Sequence, residues 1–453
     1  MGIHGFANFF SSCYKEKELS SYLGKTMVVD GKFQLIRYGI GIRETGQDMF
    51  NMKGEVINHI HAIMAFSLLM LRLGIKPVYI FDGKPPEIKR DTIDLRNSNK
   101  NKAHNKLSDI EDKNSKEYIK QFKRSYSVSN EQIKECYDLL DYIGIPYITA
   151  NGEADPYCAN LCKNKEIYGI ISNDSDILVF GAKTLLKDFT GKGRIKEISL
   201  EDIYEYMKYK ANEIRVHLEL DLIDIITHEN FIDFAILLGT DYISHIKGFS
   251  ADQLFEYFVQ GNLDISKTIE IMKCHILSLP KSKFDYYIPD NFVEKAIEVK
   301  KYYQTTDLDI DINYDISPKP NSDKLYHFLR TKNLMDETPV NNFIKELEQL
   351  YYALYNYKSD TDLNFNSFSS YRWSYYKKHQ YDNNKSKYDN NKSKFDNNKS
   401  KYENYNNMTT KRIYNLKNKF LNNNNNSNIA NYQKKKNNFV SVNRFASLSH
   451  LDT

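Results

Sequence analysis

At 453 residues and 41% apolar content, the chain is long enough for one large or two ordinary globular domains and too apolar to be disordered throughout. Its net charge of +4 is uneven: residues 361–453 carry 17 Lys+Arg against 6 Asp+Glu, residues 1–360 carry 46 against 53. No run nears the ~18 apolar residues of a membrane span, no leader pattern opens the chain, and five cysteines without a C-x-x-C pair support neither zinc ribbon nor disulfide framework, so a soluble, reducing, intracellular setting without secretion is the expectation.

The opening Met1-Gly-Ile-His-Gly-Phe-Ala-Asn-Phe-Phe10 is small and apolar, with two glycines. Lys25-Thr-Met-Val-Val-Asp30 is a β-rich run that stops at a carboxylate. From His59 to Leu73 apolar residues recur at helical spacing (Ile60, Ile63, Met64, Leu68, Leu71), and Gly74 supplies the stop. Lys76-Pro-Val-Tyr-Ile-Phe81 predicts a strand that also runs into an aspartate, Asp82. After Gly83-Lys-Pro-Pro86, the stretch from Glu87 to Lys123 is lysine-rich and nearly free of apolar periodicity, which predicts a pair of mobile helices or a partly ordered arch rather than core.

Regular structure resumes with a predicted helix from Asn130 to Ile143, ended by Gly144, and a strand from Pro146 to Thr149. Glu153 and Asp155 follow in Gly152-Glu-Ala-Asp-Pro156, where Pro156 suits the first turn of a helix reaching Leu161. Favourable placement at a helix N-terminus is the plain explanation for Asp155. Ile170-Ile-Ser-Asn-Asp-Ser-Asp-Ile-Leu-Val-Phe-Gly181 reads as buried strand on either side of Asp174 and Asp176. A D-x-D taken alone is more often a surface turn. Hairpin strands are expected around Lys183 to Ile198, with Gly191 and Gly193 at the turn. The apolar helix Phe231 to Leu238 ends at Gly239-Thr-Asp-Tyr242, and helices dominate to about Tyr357. This alternation predicts an α/β fold, a mostly parallel central sheet flanked by helices.

Seven acids, Asp30, Asp82, Glu153, Asp155, Asp174, Asp176 and Asp241, therefore stand where apolar segments end. In a doubly wound sheet such ends converge on one edge, so residues two hundred positions apart can share a site. Oxygen ligands without histidine or thiolate favour Mg²⁺, with Mn²⁺ as substitute. Seven carboxylates exceed one ion's needs and suit two ions ~3.5–4 Å apart, acting on a phosphodiester.

At these residues the chain resembles the flap endonuclease/XPG family of structure-specific 5′ nucleases, in its flap endonuclease-like branch. The resemblance runs from Met1 to about Tyr352 through Met1-Gly-Ile-x-Gly, Val29-Asp30, Phe81-Asp-Gly-Lys-Pro-Pro86, Gly152-Glu-Ala-Asp155, Asn173-Asp-Ser-Asp176 with Phe180-Gly181, and Leu238-Gly-Thr-Asp-Tyr242. It implies a PIN-like nuclease core, two Mg²⁺ ions, and cutting of branched or flapped double-stranded DNA near a 5′ single strand, in replication, repair or recombination. The seven acids match the family's metal-site carboxylates, with Asp155 replacing the commoner glutamate. Lys89 and Arg96 match its arch cations over the scissile phosphate, and Gly2 the residue beside the active site; outside such a match, two cations on a helix are an ordinary solvated face. Lys84 and Gly248 are the expected DNA contacts. A 5′→3′ exonuclease of the same family, or a descendant that binds DNA without cutting, are the alternatives. The implied location is the site of DNA replication, a nucleus or a viral replication compartment.

Two departures stand out. Where the family carries Gly-x-Gly-Pro-Lys in its helix-two-turn-helix, this chain has Gly248-Phe-Ser-Ala-Asp252, which should weaken its grip on phosphate. No sliding-clamp peptide occurs in the tail. The expected divisions are residues 1–110, an N-terminal nuclease region with the start of the arch; 111–245, an internal nuclease region; 246–357, a helical DNA-binding and C-terminal region; and 358–453, a disordered basic low-complexity tail. The tail repeats Tyr381-Asp-Asn-Asn-Lys-Ser-Lys387 at Tyr388 and Phe395. Its lysines and rings suit phosphates and unpaired bases, and compositional filler is the duller explanation.

Overall fold

The computed structural model describes residues 2–162, 167–190, 194–278, 286–304 and 320–355. All belong to a compact unit, Met1–Arg372. The Gly191/Gly193 turn and the repeat-bearing tail lie outside the described residues.

Seven strands, β1 (Lys15–Glu18), β2 (Thr26–Asp30), β3 (Lys76–Phe81), β4 (Tyr147–Thr149), β5 (Ile167–Ile171), β6 (Thr184–Lys187) and β7 (Arg194–Ser199), form one sheet in the order β1-β7-β6-β5-β2-β3-β4. The run from β6 to β4 is parallel, and β7 and β1 add antiparallel strands at one edge. Strand β2 is buried at every residue and β3 at its last five, the continuous apolar pattern of a sheet covered on both faces.

Alternate residues of each strand feed different cores. Val28, Ile80, Ile170 and Leu185 pack with helices Ala154–Leu161, Leu200–His217, His228–Leu238 and Phe292–Gln304. Met27, Val29, Tyr79, Phe81, Ile171 and Leu186 pack with helices Asn58–Arg72, Asn130–Ile143 and Glu337–Tyr355. The result is helices on both faces of a mostly parallel sheet. From β2 the chain proceeds to β3 and β4 on one side, then to β5 and β6 on the other. A topological switch point thus lies between β2 and β5, where open α/β sheets bind ligands.

Local signals account for many boundaries. Ser129 and Gln132 make a capping box at the start of Asn130–Ile143, and Gly144 ends it in the left-handed region at φ 81°. Two segments differ from expectation. The apolar run after Asp176 is a short buried helix, Asp176–Val179, because periodicity cannot separate a four-residue buried helix from a buried strand. Strand β1 carries only Lys and Glu, so no apolar alternation announced it; it is held by its pairing to β7.

The lysine-rich stretch forms helices Arg90–Ser108 and Lys116–Arg124, each with one buried residue, Ala103 and Gln121. Arg43 ties down the far end. It pairs with Asp48 at 2.7 Å, donates to the Phe122 carbonyl at 2.8 Å and stacks over Phe122 and Tyr126.

Candidate metal centre

Six of the seven acids lie at the carboxyl edge of the parallel strands. Asp30 ends β2, Asp82 directly follows β3, Glu153 and Asp155 follow β4, and Asp174 and Asp176 follow β5. Asp241 arrives from the end of helix His228–Leu238. Carboxylate oxygens of Asp174, Asp176 and Asp241 all lie within 4.8 Å of one another, and all three residues are buried.

Most of the acids are held by specific neighbours. Asp30 caps helix Gly31–Ile42 by accepting from the Phe33 N–H at 3.0 Å, and its other oxygen accepts from Ser172 Oγ at 3.2 Å. Asp82 accepts from the Ala154 N–H at 2.8 Å and pairs with Lys32 at 3.2 Å. Asp174 Oδ1 accepts the Asp176 N–H at 3.1 Å. Asp241 receives Arg96 on both oxygens at 2.7 Å and Lys89 at 3.3 Å. Glu153 accepts from Lys89 on one oxygen and, on the other, from Tyr242 at 2.6 Å and Tyr302 at 2.9 Å.

Lys89 and Arg96 therefore reach the same carboxylate, Asp241, from two different elements. Lys89 ends the 3₁₀ turn Glu87–Lys89 just before the helix that carries Arg96. Burial works against the charged Lys89 ammonium, but Glu153, Asp155 and Asp241 outweigh it and hold its pKa above the ordinary lysine value.

Gly2 lies against Asp174 and Ser175, at φ +86°. A Cβ there would come within 2.7 Å of Asp174 Oδ1 and 2.6 Å of Ser175 Oγ, so a larger side chain would displace the acid. Lys84 is exposed in a turn whose N–H donates to the Asn151 carbonyl. Gly248, at φ +90°, lies away from the acids, beside Tyr286 and next to a bridge between Lys247 and Tyr287. It leads into helix Ala251–Gln260, capped by Ser250, and helix Ile265–Ser278 follows. Tyr242, Tyr302 and Tyr303 are contacts to the acids that the acidic pattern alone did not reveal. Tyr242 sits beside Asp241 in sequence, whereas the tyrosine pair lies some sixty residues further on, outside every acid-bearing motif singled out above.

Burial raises the carboxyl pKa of Asp30, Asp155, Asp174 and Asp176, and mutual repulsion adds to it. Asp30 is pushed up to about 7 by burial and then by Asp82. Burial with Asp174 and Asp30 raises Asp155, burial with Asp241 raises Asp174, and burial with Asp174 and Asp241 raises Asp176. Among the described residues no lysine or arginine forms an ion pair with these four. Asp176 Oδ2 is buried without a hydrogen-bond partner. An orphaned carboxyl oxygen inside an oxygen-only donor set fits a hard divalent cation.

A pH dependence follows. The folded carboxyls keep protons that unfolded ones release above about pH 4, so the folded state loses relative stability as pH rises from there through about 7. A divalent ion offsets that loss. Thermal melts are expected to show a larger Mg²⁺-induced rise in Tm at pH 8 than at pH 5.5; an equal rise at both would count against ion binding by these acids.

Family models match the chain twice: the XPG N-terminal domain over residues 1–103 and the XPG I-region over residues 144–241. The seven acids all fall inside these segments. Flap endonuclease 1-B of Xenopus laevis is 31% identical over 353 residues, covering 77% of this chain and 86% of that protein. Flap endonuclease-1 from Methanococcus jannaschii superposes with a TM-score of 0.51 at 22% identity, covering 76% of this chain and 98% of that one. The catalytic core of Rad2 in complex with DNA substrate gives a TM-score of 0.50 at 24% identity, with coverage of 76% and 100%. Their nuclease core is the fold seen here, and the identity and coverage of the Xenopus relative place this chain in the flap endonuclease/XPG family.

Proposed function

We propose that this protein is a metal-dependent, structure-specific 5′ nuclease that hydrolyses DNA phosphodiesters at 5′ flaps or related branched substrates in replication, repair or recombination. The observation that carries the reading is the set of six acids at the carboxyl edge of the parallel strands, joined by Asp241 beside Asp174 and Asp176, with Lys89 and Arg96 directly on Glu153 and Asp241. Asp30, Asp82, Glu153, Asp155, Asp174, Asp176 and Asp241 would hold two Mg²⁺, with Mn²⁺ as substitute. Bound there, such ions activate a water and stabilise the leaving oxygen of the phosphodiester.

Lys89 and Arg96 now occupy the carboxylates of Glu153 and Asp241. With substrate, these cations turn to the scissile phosphate, where charge-assisted hydrogen bonds stabilise the negative charge of the transition state. Gly2 leaves room for the backbone beside Asp174. Lys84 and the Gly248 turn are the proposed contacts to the DNA backbone. The protein acts inside the cell on nucleic acid, at the site of DNA replication.

A 5′-flap oligonucleotide assay with the purified full chain tests this. Cutting near the flap base in Mg²⁺, absent in EDTA and weaker on blunt duplex, is the expected result. Tight flap binding with no cutting in Mg²⁺ or Mn²⁺ would instead support a non-cutting DNA-binding role.

A further inference from the structure

We propose that Tyr302 and Tyr303 are positioning residues of the metal centre, adjacent hydroxyls that orient Glu153 and Asp176 for divalent-ion binding. The inference rests on the metal-ligand reading above and adds a contribution from outside both matched family segments. Helix Phe292–Gln304 places the Tyr302 hydroxyl 2.9 Å from Glu153 Oε2 and the Tyr303 hydroxyl 3.0 Å from Asp176 Oδ1. Their rings are clamped. Tyr302 packs on Phe180 and Tyr242 at centroid distances of 5.6 and 5.0 Å, and Tyr303 on the same two rings at 4.8 and 5.4 Å.

The two oxygens of Asp176 are thereby made unequal. Oδ1 accepts from Tyr303, while Oδ2 has no hydrogen-bond partner and belongs to the residue grouped with Asp174 and Asp241. Tyr303 therefore fixes the carboxylate's rotation and leaves one oxygen for an ion. Glu153 is fixed more fully, with Lys89 on Oε1 and Tyr242 and Tyr302 on Oε2. Outer partners of this kind orient ligands and commonly change metal affinity by about tenfold or more when removed.

The test removes only the oxygens, in Tyr302→Phe, Tyr303→Phe and the double variant of the full chain. Binding of Mn²⁺ without DNA is followed by the free-ion electron paramagnetic resonance signal, and flap cutting is measured against Mg²⁺ concentration. The double variant is expected to need about tenfold more Mn²⁺ for half-saturation, and more Mg²⁺ for half-maximal cutting, with flap affinity in Ca²⁺ unchanged. Tyr303→Phe should show the larger single effect, because Glu153 retains Lys89 and Tyr242. Wild-type Mn²⁺ and Mg²⁺ titrations in the double variant would overturn the proposal. If the double variant does not fold, Tyr303→Phe alone decides by the same titrations. A wild-type protein that binds Mn²⁺ but cuts no flap would defeat the nuclease reading while leaving the Mn²⁺ comparison decisive for the tyrosines.

Discussion

Replacing Asp174 and Asp176 together by alanine is expected to lower the single-turnover cutting rate by about a thousandfold or more while raising the melting temperature in EDTA. The rate follows from losing two of the three buried residues whose oxygens share one 4.8 Å cluster. Ions held there supply several kcal/mol of transition-state stabilisation, and each ~1.4 kcal/mol is a factor of ten. The stability change has the opposite sign. Both acids are buried and raised in pKa by burial and by one another or Asp241, so without an ion they burden the folded state. Flap affinity should persist, since these side chains repel rather than hold the DNA backbone. Single-turnover kinetics, flap binding and melts in EDTA check the three statements together. Retention of activity within tenfold would end the assignment of these acids as metal ligands.

Lys89→Ala and Arg96→Ala are both expected to slow chemistry by about a hundredfold to a thousandfold, the cost of losing a preorganised donor at the transition state. They should part company in stability. Lys89 is buried between Glu153 and Asp241, so its removal leaves Glu153 with only the neutral Tyr242 and Tyr302 hydroxyls while Asp241 keeps Arg96, at a cost toward the low end of about 3–5 kcal/mol in the metal-free protein. The Arg96 side chain is 39% exposed and solvent screens its pair with Asp241, so its loss should barely move the melt. Added Mg²⁺ should restore much of the Lys89→Ala stability without restoring rate. Single-turnover assays beside melts with and without Mg²⁺ separate the cases. Variants that lost flap affinity in proportion to rate would show these cations to be simple backbone contacts.

What could be read from residue order was the part encoded locally. Strand β3 and helix Asn130–Ile143 match their expected bounds because an apolar run or a capped periodic pattern is closed by a decisive residue, Asp82 or Gly144. The acids were recognisable because each stands at such an ending. Partners fixed by tertiary packing were hidden. Nothing in Lys300-Lys-Tyr-Tyr-Gln304 reveals that two phenols meet carboxylates more than a hundred positions earlier. Likewise, the uniformly apolar run Ile177-Leu-Val-Phe180 carries no period that separates strand from helix, a distinction only its packing resolves. Charge alternation in Lys15-Glu-Lys-Glu18 carries no face preference, so its strand exists by virtue of β7.

The beginning of the chain is enclosed by its middle. Ile3 N–H donates to Ser175 Oγ at 3.4 Å, His4 N–H donates to the Gly239 carbonyl at 2.9 Å, and Phe6, Phe9 and Phe10 enter the core with Phe231, Phe234 and Phe255. During synthesis the first ten residues therefore have no seat until some 255 have left the ribosome. The centre cannot assemble on a shorter nascent chain. The same geometry sets a rule for handling the protein. An extension fused ahead of Gly2 begins beside Asp174 and Ser175, so an uncut N-terminal tag competes with substrate for space.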